Sequence, residues 1–173
     1  MNTDYPVFIG ICLTGMAVRT SYELLKKNGK VNQKSNTVIV IVFLAMCLML
    51  SSWCFMCPLD PWRIGLPFIV KLSGLGMLIT GLGIALGGLI QLRGVENIDH
   101  LVTGGIFSRI RHPMYTGFIF WILGWVTYYG AGVSLIVALV CIGNILFWRR
   151  LEEENLLSAY GETYLGYRMR TWV

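Results

Sequence analysis

Residues 113–148 read PMYTGFIFWILGWVTYYGAGVSLIVALVCIGNILFW, 36 positions without one charged side chain. A helix that spans a bilayer needs about 20 apolar residues, within a range of about 17–25. The stretch is too long for one span, so a turn must divide it. Tyr128-Tyr129-Gly130-Ala131-Gly132 is the natural place, because Gly commonly ends helices and paired Tyr suits a membrane interface. The reading is a tight hairpin of two rather short helices, 113–129 and 132–150.

Outward from this hairpin the pattern repeats. Residues 72–92 are uncharged for 21 positions and residues 35–59 for 25, which predicts helices over 66–91 and 36–57. Tyr5 to Val18 is apolar before Arg19 and extends to Leu25, a marginal first span over 4–25. After the hairpin, 152–168 is expected as an inner helix. The fold class is therefore all-α and integral to a membrane. It has five transmembrane helices, the last two a tight hairpin, and a C-terminal amphipathic helix on the cytoplasmic side, in one domain over 1–173.

Composition agrees. The chain is 55% hydrophobic and 13% charged, against about 25% charged in a soluble domain, and its mean hydropathy is +0.65. That excludes a disordered chain, a basic nucleic-acid-binding protein and an ordinary cytosolic enzyme. The expected partner is the lipid bilayer, with no nucleic acid. With the N-terminus outside, 12 of the 14 cations fall on inner segments, leaving Arg63 and Lys71 near the outer side. The positive-inside rule then places the C-terminus in the cytoplasm. A prokaryotic cell membrane is the expected location. Asp4 precedes the first apolar run and the basic cluster follows it, so this segment reads as an anchor, not a cleaved leader.

Cysteine and glycine add packing more than chemistry. Cys54 and Cys57 have CxxC spacing but no second pair and no nearby His, so no metal site is expected. A disulfide between them stays open. Gly81, Gly83 and Gly87 echo a dinucleotide fingerprint, yet they lie inside an apolar helix and no strand precedes them. Small residues there let helix backbones approach, as Gly83 and Gly87 would at GxxxG spacing.

Chemistry concentrates in the two inner segments flanking the hairpin. The first is LVTGGIFSRIRHPMYTG, residues 101–117. Pro113 opens a helix well, because its missing N–H is an orphan donor there anyway. That sets Arg111 and His112 at a helix N-terminus on the membrane boundary, where free donors, the dipole and a guanidinium suit an anion. A positive-inside anchor with a turn would also explain these residues, except for His112. The second segment is RRLEEENLLSAYGETYLGY, residues 149–167. Glu152 or Glu153, Leu156, Tyr160, Tyr164 and Tyr167 share one helical face. Such a stripe is either a docked helix or one wall of a polar pocket. Three consecutive glutamates beneath an anionic leaflet need a cation, from Arg149 and Arg150 or from a ligand.

Together these segments resemble the isoprenylcysteine carboxyl methyltransferase family and the related membrane phospholipid methyltransferases. The resemblance rests on LVTGG-x-F-x(3)-RHPMY-x-G, a two-helix hairpin, then EE-x(2)-L-x(3)-YG-x(2)-Y-x(2)-Y, and covers residues 75–170. It implies an enzyme that uses S-adenosylmethionine to methylate a lipid-like or small hydrophobic acceptor at the cytoplasmic face. Cofactor contacts carried over by position are His100, Leu101, Val102, Phe107, His112, Pro113, Met114, Tyr115 and Glu152, with Phe107 where the family often has Tyr. The family's carboxylate-binding arginine falls on Trp148, with Arg149 beside it, and Arg170 matches a basic position after the last Tyr. The catalytic candidates are thus Arg111, His112, Glu153, Arg149 and Arg170.

Chemistry of the side chains runs parallel to the resemblance. Glu152 suits an amine or ribose hydroxyls, Arg111 a carboxylate, and Tyr115 or Phe107 a sulfonium by cation–π attraction. A carboxylate acceptor needs only a placing cation, whereas an amine acceptor needs a base, for which His112 or Glu153 could serve. A phospholipid or amine N-methyltransferase, a NADPH-dependent sterol-type reductase and a non-enzymatic membrane scaffold remain as alternatives.

Overall fold

The computed structural model describes residues 4–31, 35–92 and 100–172. Lys34 and Arg93, two of the twelve cations counted on inner segments, lie outside these residues. Within them the fold is all-helical, with two isolated backbone bridges and no strand. The helices are α1 (Tyr5–Lys27), α2 (Asn36–Met56), α3 (Phe68–Leu92), α4 (Pro113–Tyr129) and α5 (Gly132–Arg168), with a short 3-10 turn at Gly105–Ser108 before α4. Of these, α1, α2, α3 and α5 are long and apolar enough to cross a membrane. The chain is a multi-pass integral membrane protein. Exposed Phe68, Ile69, Leu72, Ile79, Leu86 and Ile90 make α3 apolar outward, as lipid contact demands. At 17 residues, α4 is about 25 Å long, shorter than the others.

The closest helix pair is α3 with α4, and glycine makes it so. A side chain at Gly74, Gly81 or Gly88 would run within 3 Å of α4, and one at Gly117 or Gly124 would meet the backbone of α3. These positions recur every seven residues on facing helices, so the backbones interlock along one seam. Gly83 and Gly87, expected to serve this purpose, do not: Gly83 has open space beside it, and Gly87 meets only the tip of Ile106. Both lie off the heptad seam.

The connection of α4 to α5 is short, with Gly130 in the left-handed region (φ 60°) ending α4. Beyond that turn α4 lies along α3 and touches α5 far less. Among the described residues no equivalent glycine seam faces α5. α5 spans 37 residues, and its continuous part up to Gly161 rises about 43 Å, so it outreaches a hydrocarbon core of about 30 Å. The expected separation of a fifth span from an inner helix at 150–152 is absent. Arg149 to Glu154 are good helix formers with no Gly or Pro among them. The break comes instead at Gly161, whose φ of 50° interrupts the helix.

One end of the bundle is closed by polar contacts. Asp60 accepts bonds from Tyr5 Oη, from the backbone and hydroxyl of Ser134, and from the backbones of Trp62 and Val133. It thereby caps the N-terminus of α5 from the α2–α3 connection, and Ile64 and Trp62 pair with Gly130 and Gly132 beside it. The opposite end holds a cavity.

Candidate functional site

The segment before α4 is shaped by three latches. Gln91, at the end of α3, donates to Gly104 O (2.6 Å) and accepts from Ile106 N (3.0 Å), which holds the 3-10 turn in place. Gly105 has φ 53°, and any side chain there would strike Gln91. The C-terminal segment closes over the same loop: Trp172 N donates to Arg109 O at 2.7 Å and Arg111 N to Trp172 O at 3.2 Å. Pro113 is the first residue of α4 and biases His112 away from helical backbone, leaving its ring turned toward α5.

What α5 offers to that ring is a pair of carboxylates on different faces. His112 Nε2 lies 3.3 Å from Glu153 Oε1 and His112 Nδ1 3.6 Å from Glu152 Oε2. Glu153 also meets Arg111 Nη2 at 3.3 Å, and Arg111 Nη1 donates to Arg168 O at 3.0 Å. His112 is buried and stacks on Tyr115 with ring centroids 5.7 Å apart. Burial alone would push the imidazole pKa down, but Glu152 and Glu153 outweigh it, so the net shift is upward from the ordinary 6.5. The imidazolium is thus the favoured partner of the two acids.

These groups border a cavity of about 350 Å³ at the end of the bundle opposite Asp60. The wall includes all nine positions singled out as cofactor contacts: His100, Leu101, Val102, Phe107, His112, Pro113, Met114, Tyr115 and Glu152. Arg111 lines it too. Glu153 does not; it locks Arg111 and His112 from behind. Arg149 and Arg170 are not brought to the cavity. Arg149 sits about 100° round the helix from Trp148, which packs inward against α1 with its Nε1 donating to Thr20 Oγ1 at 2.9 Å. Arg170 is exposed and turns back to Gly166 O.

Seven wall residues were not among the site candidates: Lys26, Leu92, Asn155 and Ala159, and Leu156, Tyr160 and Tyr167, which had been placed only on the aromatic stripe. Asn155, Ala159 and Tyr160 follow Glu152 at i+3, i+7 and i+8, so the helical period already held them. Lys26 had no such signal, because a cation beside an inner helix end is what topology alone requires. Of the tyrosine stripe, Tyr160 and Tyr167 line the cavity, and Tyr167 Oη is tied to Phe107 O at 2.7 Å. Tyr164 is wholly buried beside Tyr167 instead. Among the described residues no cluster of His, Cys, Asp and Glu could hold a metal, and Cys54 and Cys57 are free thiols.

Comparison with known proteins places this architecture. Residues 69–163 match the family model described as phospholipid methyltransferase. The chain is 31% identical over 112 residues to a protein-S-isoprenylcysteine O-methyltransferase of Schizosaccharomyces pombe, covering 59% of this chain and 48% of that one. It is 32% identical over 120 residues to the protein of the same name from Xenopus laevis, covering 59% and 40%. Against protein-S-isoprenylcysteine O-methyltransferase B of Arabidopsis thaliana it is 32% identical over 83 residues, covering 47% and 42%. The chain spans less than half the length of these relatives, all of them eukaryotic, whereas a prokaryotic membrane was expected from the sequence. No solved structure matches it.

Proposed function

Because the chain belongs to the phospholipid methyltransferase family, we propose that it is an integral membrane, S-adenosylmethionine-dependent methyltransferase acting on a lipid-like or small hydrophobic acceptor. Its topology is five spans with the N-terminus outside, so the cavity opens at the cytoplasmic face. The observation that carries this reading is the cavity itself, where both inner motifs meet although about 40 residues separate Arg111 from Glu152 in the chain.

The residues present fit the cofactor. The volume of about 350 Å³ lies within the range of small-molecule sites, about 300–1,000 Å³. Arg111 Nε is buried without a hydrogen-bond partner among the described residues, an orphaned donor on the wall that suits a carboxylate. Glu152 suits the amine or the ribose hydroxyls. The rings of Phe107, Tyr115 and Tyr160 provide faces for a cation. S-adenosylmethionine, when bound, supplies a sulfonium methyl group open to in-line displacement. The protein's part is to orient the two reactants and exclude water, the main source of acceleration in such a step.

The ion cluster assigns roles to the chain's own groups. Glu153 holds Arg111 and His112 in place, and His112 in turn holds Glu152. This lattice keeps Glu152 oriented and ionised at the wall. For a carboxylate acceptor, which the named relatives suggest, no base is needed. An amine acceptor would need a base, and the two candidates, His112 and Glu153, are paired with each other and with Glu152 and Arg111. The carboxylate reading, which the relatives' names carry, is the one proposed. Isothermal calorimetry on the purified chain tests the proposal: S-adenosylhomocysteine, the demethylated product, should bind, and binding of NADPH instead would replace this reading with a reductase. Radiolabelled methyl transfer to fractionated membrane lipids then identifies the acceptor.

A further inference from the structure

Five large apolar side chains among the described residues are exposed by three-quarters or more: Phe68, Ile69, Ile90, Met169 and Trp172. The first three belong to α3, a helix long and apolar enough to cross a membrane. Met169 and Trp172 instead follow the last turn of α5, on the strap that closes over the loop before α4. Contacts fix the level of that strap. The tip of Ile106 lies beside Gly87 of α3, Gln91 in the last turn of α3 grips Gly104 and Ile106, and Tyr167 Oη donates to Phe107 O. Loop and strap are therefore level with the last turns of α3, where Ile90 still faces outward. Where a lipid-facing helix ends, hydrocarbon gives way to headgroups, and Trp is favoured at that boundary.

Positive charge accompanies these exposed side chains. Arg109, Arg168 and Arg170 are exposed on the same loop and strap, and none of them is in an ion pair among the described residues. Arg170 donates to Gly166 O, and Arg168 acts on Glu153 only through its field. Glu162 is the one acid between Gly161 and Trp172. Exposed Met and Trp flanked by guanidiniums form the surface that lies on anionic lipid: apolar tips enter the headgroup layer and the cations meet its phosphates. A positive-inside topology alone asks for the arginines. It does not ask that Trp172 be tied through its backbone across the loop, with Trp172 N donating to Arg109 O and Arg111 N to Trp172 O. Arg111 lines the cavity, and its Nη1 donates to Arg168 O.

We propose that the strap over 168–172, with Arg109 beside it, is a docking surface for an anionic membrane leaflet, and that lipid contact holds it shut over the loop that carries Arg111. Arg109 stands on one side of the backbone bonds that close the strap and Arg170 on the other. An anionic leaflet that attracts both pins the two segments together, whereas a neutral one leaves closure to the strap's own bonds. Because Arg111 is bonded to the strap through its backbone and its guanidinium, whatever fastens the strap also orients this group at the cavity wall. That second step, in which closure favours the cofactor, rests on the methyltransferase reading; the docking does not.

The test uses the full chain in nanodiscs of phosphatidylcholine alone and of an equimolar mixture with phosphatidylglycerol. Amide hydrogen exchange, read by mass spectrometry, follows the peptides that contain Arg111 and Trp172. Both should exchange about 10-fold more slowly in the anionic discs, and high salt should erase the difference. The double variant Arg109→Gln with Arg170→Gln, altered only at exposed positions outside the cavity, should lose the difference and keep the wild-type Tm. The inference is overturned if the wild type exchanges equally in both discs, or if the double variant retains the difference. For the wild type, S-adenosylhomocysteine should bind about 3-fold or more tightly in the anionic discs, and for the double variant equally in both. Equal wild-type affinities would overturn the coupling of the strap to the cavity. If the wild type binds no S-adenosylhomocysteine in either disc, the methyltransferase reading falls, and the exchange difference alone decides the docking.

Discussion

The two ends of this bundle are both built on carboxylates set between helices, yet they are finished differently. At the end where α2 connects to α3, Asp60 takes bonds from Tyr5, Ser134, Trp62 and Val133 and is enclosed by them. At the opposite end Glu152 and Glu153 share one imidazole beside a cavity, Glu153 also takes the Arg111 guanidinium, and Arg111 Nε lacks a partner among the described residues. A closed set of bonds fastens helices; an open set beside a void waits for a ligand. The same chemistry thus serves architecture at one end and recognition at the other.

The largest effect should come from breaking the closed end. Asp60→Ala strips the cap from α5 and leaves several donors unpaired, and each buried unsatisfied group costs about 1–3 kcal/mol. A loss of at least about 3 kcal/mol is expected, read as a large fall in Tm in detergent, and a fall of only a degree or two would refute the keystone role. The open end should behave in the opposite way. Glu152→Ala is expected to weaken S-adenosylhomocysteine about 10- to 100-fold by calorimetry with little change in Tm, and undiminished binding would remove Glu152 from the site.

Titration sharpens the contrast, because the two ends respond to opposite extremes of pH. Burial would raise the Asp60 pKa, but its bonds from Ser134, Trp62 and Val133 prevail and hold it below the ordinary 3.8. Its stabilisation is full above about pH 4 and is lost as pH falls through the depressed value. For His112 the folded pKa lies above 6.5. Its contribution is full below about pH 6.5 and is lost as pH rises through the raised value. The Tm difference between wild type and His112→Gln should accordingly shrink from pH 6 to pH 9, and a difference that grows over that interval would contradict the ion cluster. The smallest effect is expected at Arg149. Because it faces away from the cavity, Arg149→Ala should alter acceptor and product affinities by less than about 2-fold, and a larger change in acceptor affinity would place it back in the site.

How far the sequence could be read depended on whether a pattern was local. Uncharged runs of helix length announce helices, since a bilayer tolerates few charges and no unpaired backbone. The two inner motifs were legible because Pro113 and the helical period from Glu152 to Tyr160 are properties of neighbouring residues. The glycine seam was misread. Gly83 and Gly87 show the commoner GxxxG spacing, but which glycines meet a partner depends on the rotation of α3 against α4, and that rotation is a tertiary quantity. Glu152 and Glu153 look alike in sequence too, and only the position of His112 sends one to the wall and the other behind it.

By itself, then, the sequence determined an all-helical membrane chain and the two segments where its chemistry gathers, because hydropathy and helical period act over a few turns. The tertiary structure decided how these segments are used. It continued α5 through Glu152 to Tyr160 as one wall, closed the loop before α4 with Trp172, and set Lys26 of α1 at the cavity. Those outcomes join residues as far apart as 26 and 152, and contacts at that separation follow from packing, which no local pattern encodes.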